Sequence, residues 1–260
     1  MADRYWRGGT AAWDGTAGTK WADTAGGAAG AAVPTSADDV YFDATSSGTC
    51  TISTGNTGAK SINCTGFTGT LAGSANITVS GSVTLVAGMT VTYSGTLTLN
   101  GTGTLTTAGK ALGPVTINGS GITVTLGDAL NIGNSTLTVT QGTLDTANYN
   151  LTASVISSAN SNVRTITLGS STLTLSGSTP IGFLINTNLT FNAGTSTINA
   201  TAAGPAIAGG AASATGVTFY NVAFAAGGSG IDIRGINTFN DFTVAVPASA
   251  GVRQVTFDSR

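Results

Sequence analysis

The chain contains no histidine and no glutamate: all eleven of its acidic residues are aspartate. General acid–base chemistry is therefore left to Asp, Lys and Tyr. Only 8% of the 260 residues are charged and the formal net charge is -2. No basic surface is available to follow a phosphate backbone, so nucleic-acid binding is not expected. There are two cysteines, Cys50 and Cys64, and no histidine to complete a zinc site with them; no cofactor is called for. No apolar run approaches the ~20 residues of a membrane helix, so membrane insertion is not expected. The opening Met1-Ala-Asp-Arg-Tyr-Trp-Arg-Gly-Gly9 has no apolar stretch of the secretory kind, which leads us to expect a protein made and assembled in a cytoplasm. Straight-chain helix formers are scarce.

What is present is threonine (47 residues), glycine (38) and an apolar fraction of 41%. The low net charge and ample apolar content are not those of a disordered chain, and β-branched residues with glycine point to an all-β fold. Ile77-Thr-Val-Ser-Gly-Ser-Val-Thr-Leu85 is followed, fourteen residues on, by Val91-Thr-Tyr-Ser-Gly-Thr-Leu-Thr-Leu99. Further alternating segments, such as Ile122-Thr-Val-Thr-Leu126 and Leu173-Thr-Leu175, put aliphatic residues on one face and Thr on the other. Clusters such as Asn100-Gly-Thr-Gly103, Asn118-Gly-Ser-Gly121 and Gly169-Ser-Ser171 suit corners. A short gapless repeat of strand, corner and strand favours a parallel β-solenoid, in which like residues stack on like, over a sandwich of hairpins. A period near fourteen gives about ten to fourteen coils, a rod on the order of 50–70 Å.

Three regions follow. Residues 1–40 hold all three tryptophans, Trp6, Trp13 and Trp21, with Arg4, Tyr5 and Arg7. A stacked repeat needs an atypical end to cover its first coil, so this segment reads as an N-terminal cap. Trp and Arg are also enriched where proteins bind one another, so Arg4, Tyr5, Trp6, Arg7, Trp13 and Trp21 are the candidate attachment residues. Residues 41–180 read as short coils, with Cys50 and Cys64 stacked in adjacent coils as free thiols. Residues 181–260 read as longer, Phe-rich coils that break off in the middle of a repeat unit. Thr218-Phe219, Thr238-Phe239 and Thr256-Phe257 share one motif, which predicts an interior ladder of Phe219, Phe239 and Phe257, with Thr190-Phe191 as its start. The stretch 202–214, rich in Ala and Gly, reads as a loop leaving the stack.

Catalysis is weighed and not expected. Asp128 and Asp145 could lie one coil apart at the separation a glycoside hydrolase needs, and Asp232, Asp241 and Asp258 could share a face near Arg234 and Arg253, but each Asp is more simply a corner residue. Asp38, Asp39 and Asp43 could hold calcium; turn-forming carboxylates are the preferred reading. Asn-x-Ser/Thr triplets such as Asn76-Ile-Thr78 arise by chance in so Asn- and Thr-rich a chain. The irregular spacing of the outward Thr rows argues against an ice-binding lattice.

Over essentially its whole length the chain resembles the Thr/Gly-rich β-helical virion proteins of tailed phages, the head-fibre, tail-fibre and decoration proteins. The resemblance is carried by Tyr5-Trp6-Arg-Gly-Gly9, Trp13, Trp21, Pro34-Thr35 with Asp38-Asp-Val-Tyr-Phe-Asp43, Lys60-Ser-Ile-Asn-Cys-Thr-Gly-Phe-Thr-Gly-Thr70, Gly142-Thr-Leu-Asp-Thr-Ala-Asn-Tyr-Asn-Leu-Thr152 and Phe219-Tyr-Asn221. It implies a structural, non-enzymatic element of the virion, docked through residues 1–45 on capsid, portal or tail proteins. A homotrimer and a host-surface glycan are further partners it suggests. Similar modules occur in secreted adhesins, which makes a cell-surface or filament module the alternative and a carbohydrate-active β-helix enzyme the third reading.

Overall fold

The computed structural model describes residues 1–13, 15–16, 18–53, 58–183, 185–202, 206–209, 216–225, 230–234, 236–245 and 254–258. The chain is all-β and forms a parallel β-solenoid of about eight turns, divided into two compact units, Met1–Asn131 and Ile132–Arg260.

In the first unit each turn runs through three faces. One carries Gly58–Ala59, Ile77–Val79, Leu97–Leu99 and the start of Val115–Leu126; a second carries Asp3–Trp6, Asp39–Tyr41, Ser61–Asn63, Val83–Thr84, Gly103–Thr106 and the end of Val115–Leu126; the third carries Ala11–Trp13, Thr49–Ile52, Thr70–Gly73 and Thr90–Val91. Alternation sets the inside and the outside. Ile77 and Val79 are buried and stack in register on Leu97 and Leu99, which stack on Val115 and Ile117, while Thr78, Thr98 and Thr116 form the outward column between them. Each buried aliphatic side chain contributes about 1.5–3 kcal/mol through removal from water. Corners bring backbones close: at Gly73, φ is 110° and an added Cβ would lie 2.1 Å from the Ile52 carbonyl oxygen, which only glycine tolerates.

The second unit repeats the scheme. The strands Val155–Ser157, Ile181–Phe183, Ala206–Gly209, Gly230–Arg234 and Gln254–Asp258 pair successively on one face. Arg164–Thr167 and Leu189–Asn192 stack on the next. Leu151–Ala153, Thr172–Leu175, Thr197–Ala200, Thr218–Phe224 and Thr238–Val244 form the third.

The turn is longer than fourteen residues. Ile77 pairs with Leu97, Leu97 with Val115, Gly142 with Arg164 and Ile181 with Ile207, and the longer turns reduce the number of coils. Fourteen residues take the chain two faces onward: Ile77 stacks on Leu97, whereas Val91, its repeat mate, stacks on Leu71 of the third face. The repeat records the likeness between two corners of one three-sided turn. The thiols follow the same geometry. Cys50 lies in register between Ala11 and Leu71 on the third face, while Cys64 follows Ser61–Asn63 and donates its N–H to the Thr84 carbonyl at 2.8 Å. The two are free and buried, on different faces.

Phe219 and Phe239 do stack, with centroids 5.5 Å apart, and Phe191 joins Phe219 at 5.3 Å. Phe257 leaves the series: it pairs with Ile233 on another face. Ala206–Gly209, expected within a loop, is a strand of the stack; residues 203–205 and 210–214 of that expected loop lie outside the described residues. Of the three corner clusters, Gly121 and Gly169 take positive φ, and Asn118–Gly121 turns the corner within the long strand Val115–Leu126, between Val115–Ile117 on the first face and Val124–Leu126 on the second.

Candidate functional site: the N-terminal end

A parallel stack ends with one edge of its first strand unpaired. Here Asp3–Trp6 pairs in parallel with Asp39–Tyr41 on one side, and on the other Trp21–Ala22 runs antiparallel to it, with Trp6 opposite Trp21 and Tyr5 opposite Ala22. Reversal of direction closes the edge to further parallel addition. Beneath this closure the three indoles are fully buried. Trp21 meets Trp6 and Trp13 edge to face at 5.1 and 5.0 Å, and Phe42 lies 6.1 Å away and leads to Phe67 at 5.2 Å. The Nε1–H of Trp6 donates to the Gly9 carbonyl at 3.3 Å, while those of Trp13 and Trp21 have no hydrogen-bond partner. An orphaned buried donor costs about 1–3 kcal/mol; at ~200 Å² per ring, the transfer gain of about 5 kcal/mol exceeds it.

The six candidate attachment residues therefore separate by side. Trp6, Trp13 and Trp21 lie inside and shape the end. Arg4, Tyr5 and Arg7 are half-buried on its outer surface. Tyr5 stacks on Tyr41 with centroids 4.7 Å apart and planes 14° apart, and the Arg7 guanidinium lies 5.8 Å from the Tyr5 ring. Arg7 grips Asp43 with two N–H donors, at 3.2 and 3.0 Å, and donates to the Trp6 carbonyl at 2.6 Å and Ser46 Oγ at 3.0 Å. Arg4 pairs with Asp23.

The acidic trio Asp38, Asp39 and Asp43 is divided among tethers. Asp38 accepts the Ala2 N–H at 2.8 Å and the Thr35 N–H and hydroxyl at 3.0 and 2.8 Å. Asp39 faces Lys60 at 2.9 Å and Ser61. Asp43 accepts from Arg7, Thr45 and Ser46. Burial alone would raise each of these pKa values. For Asp38 the hydrogen bonds from Thr35 and Ala2 reverse it; for Asp39 Ser61 and Lys60 do so; for Asp43, Arg7 and Thr45 bring the value down to about 2. Burial, with Asp3 close by, raises both Tyr5 and Tyr41.

The depressed Asp43 value has a direct consequence. Because the folded pKa lies below the unfolded one, near 3.9, the contribution is complete above the unfolded value and is lost as pH falls through the folded one, at about 2. Asp43→Asn is expected to cost on the order of 1–2 kcal/mol at neutral pH. Thermal unfolding followed from pH 7 to below 2 should show the wild-type advantage shrinking to nothing at the acid end; a constant difference would remove the assignment.

The other carboxylates weighed for catalysis hold turns. Asp128 accepts the Thr107 N–H and hydroxyl, at 2.8 and 3.1 Å, and the Ala108 N–H at 2.5 Å, where Ala108 has φ 51°. Asp145 accepts the Ala147 N–H at 2.8 Å at the turn where Ala147 and Asn148 take positive φ. Asp241 belongs to Thr238–Val244 on the third face, whereas Asp232 and Asp258 belong to Gly230–Arg234 and Gln254–Asp258 on another. The three do not share a face, and Arg253 lies outside the described residues. Burial pushes the Cys64 thiol up to about 12 and Cys50 well above its usual value. A maleimide reagent should label neither thiol in the native protein and both after denaturation; rapid native labelling would contradict the packing.

One signal for this end is visible in the sequence without periodicity: ten of the chain's twenty charged residues lie in the first sixty positions. One further polar group stands at an inward position: Arg164 is buried in a stretch that otherwise reads as apolar and Thr. No protein-family model, curated protein or solved structure matches the chain.

Proposed function

We propose that the chain is a non-catalytic structural element of a phage virion, a fibre or capsid-decoration protein that docks through its N-terminal end. The observation that carries this reading is the contrast between that end and the rest. The first sixty residues concentrate half the charged groups, and the stacked tyrosines, Arg7–Asp43 and Lys60–Asp39 stand on a surface backed by a rigid aromatic core. The turns that follow display Thr columns with few charges, which suits an inert spacer. Docking falls to the outer residues Arg4, Tyr5 and Arg7 with Tyr41 and Lys60, while the tryptophans hold them in place. The sequence resemblance to phage β-helical virion proteins points the same way.

Immunogold labelling of purified virions with an antibody raised to the chain tests this. Labelled particles are expected; an antibody that recognises the free protein but finds none on virions would overturn the assignment.

A further inference from the structure

Among the described residues Tyr5 and Tyr41 are the one pair of tyrosines in ring contact, stacked at 4.7 Å and 14°. They are register partners on the neighbouring parallel strands Asp3–Trp6 and Asp39–Tyr41. Alternation turns both rings outward, while Trp6, Val40 and Phe42 beside them in sequence are buried. Neighbouring strands lie ~4.8 Å apart, so the fold itself holds the two rings at this separation. Both are half-buried, which leaves them within reach of a small reagent. The other three tyrosines stand apart. Tyr93 is buried, with its hydroxyl donating to the Ala75 and Thr96 carbonyls at 2.9 and 3.1 Å. Tyr149 is exposed at a corner and Tyr220 lies in Thr218–Phe224; among the described residues neither has a ring beside it.

The surroundings suit loss of an electron from this pair. Burial and the nearby Asp3 charge keep both phenols protonated at neutral pH. A protonated phenol gives up an electron readily only when its proton can leave as well, and the Asp3 carboxylate beside the Tyr5 hydroxyl is a proton acceptor already in place. The site is also firmly set. The Arg7 guanidinium lies 5.8 Å from the Tyr5 ring and is itself fixed by Asp43 at 3.2 and 3.0 Å.

We propose that Tyr5 and Tyr41 form a dityrosine crosslinking site, at which oxidation ties the first strand covalently to the next turn of the stack. The co-reactant is a one-electron oxidant, of which two equivalents are reduced. Each phenol loses one electron and its O–H proton, Tyr5 to Asp3 and Tyr41 to water. The two phenoxyl radicals then couple, forming one carbon–carbon bond between ring positions ortho to the oxygens. The C–H bond at each coupled carbon breaks and its proton returns, through solvent, to the phenoxyl oxygen, which restores both phenols. The net loss is two electrons and two protons. Rotation about the side-chain bonds of two surface rings carries them from the stack to bonding contact. The bond closes the loop between positions 5 and 41, which contains Trp13 and Trp21. Chain ends open first, so the crosslink acts where the stack would begin to fray. The site does not rest on the virion reading, since any solenoid ending in this way would gain from it.

The test is brief illumination of the full chain with a ruthenium tris-bipyridyl complex and persulfate, which together supply a one-electron oxidant. Dityrosine fluorescence should appear, and digestion should give one crosslinked pair of peptides, carrying Tyr5 and Tyr41, lighter by two hydrogens than their sum. The yield should be unchanged on dilution, as a bond within one chain requires. Tyr5→Phe keeps a stacked ring, and so the fold by circular dichroism, but should abolish the product; Tyr149→Phe should leave it intact. In the coupled protein, amide protection of Asp3–Trp6 should rise on the order of tenfold or more. Oxidation that yields only hydroxylated tyrosine, a product that survives Tyr5→Phe, a yield that falls with dilution, or protection that does not change would overturn the proposal.

Discussion

Trp21→Ala is expected to destabilise the first unit by about 3–5 kcal/mol, the largest effect of any single truncation at the N-terminal end. Trp21 is the ring that Trp6, Trp13 and Phe42 all touch, within 5.0 to 6.1 Å, and it belongs to the strand that closes the edge of Asp3–Trp6. Its loss removes the transfer energy of a buried indole, leaves a cavity among three rings, and reopens a strand edge. Trp21→Phe keeps most of the contact and removes an indole N–H that has no partner, so it should cost much less, about 1–2 kcal/mol. Chemical denaturation followed by circular dichroism measures both. Equal losses for the two variants would mean that the indole makes specific interactions the structure lacks. The Ala variant should also expose a parallel edge and so aggregate more readily.

Arg164→Met is expected to cost about 3 kcal/mol or more, although methionine suits a buried site by volume. Ser158, Asn162, Ile185 and Thr187 would each lose a charge-assisted donor from their carbonyl oxygens, and buried acceptors left unmatched cost more than the bond was worth. Arg164→Lys should recover little, because one ammonium cannot reach carbonyls placed for a planar fork. The readout that isolates the Arg164 site is hydrogen exchange: protection should fall at 158–164 and 185–189 while that of Thr172–Leu175 persists. Uniform loss across the second unit would instead indicate a general packing role.

The two positions show what could be read in advance. The tryptophans declare a cap because a stacked repeat needs one and because no other part of the chain carries that residue; their burial follows from the same need. The aliphatic and Thr alternation gives strands, inward parity and parallel stacking without ambiguity. What it leaves open is which face a strand occupies, since all three faces use the same alphabet. That is why Ile77 and Val91 look like neighbours in the stack and are not, why Cys50 and Cys64 lie on different faces, and why Phe257 shares a motif with Phe239 yet pairs with Ile233. Turn length is set by corner loops, whose composition does not encode it. Arg164 was legible in one respect: Arg164, Ile166 and Leu168 share a parity, and the last two face the core. A charge at an inward position signals a built polar site. The tethers Arg7–Asp43 and Lys60–Asp39 join residues 36 and 21 positions apart, beyond the reach of local pattern.

Hydroxyl-radical footprinting of the chain, free and on the virion, tests most directly whether the N-terminal end is the docking end. Met1, Tyr5 and Tyr41 are the reactive side chains there. The account predicts that all three lose reactivity on the particle. Undiminished labelling of these residues on the particle, with protection confined to the second unit, would contradict it.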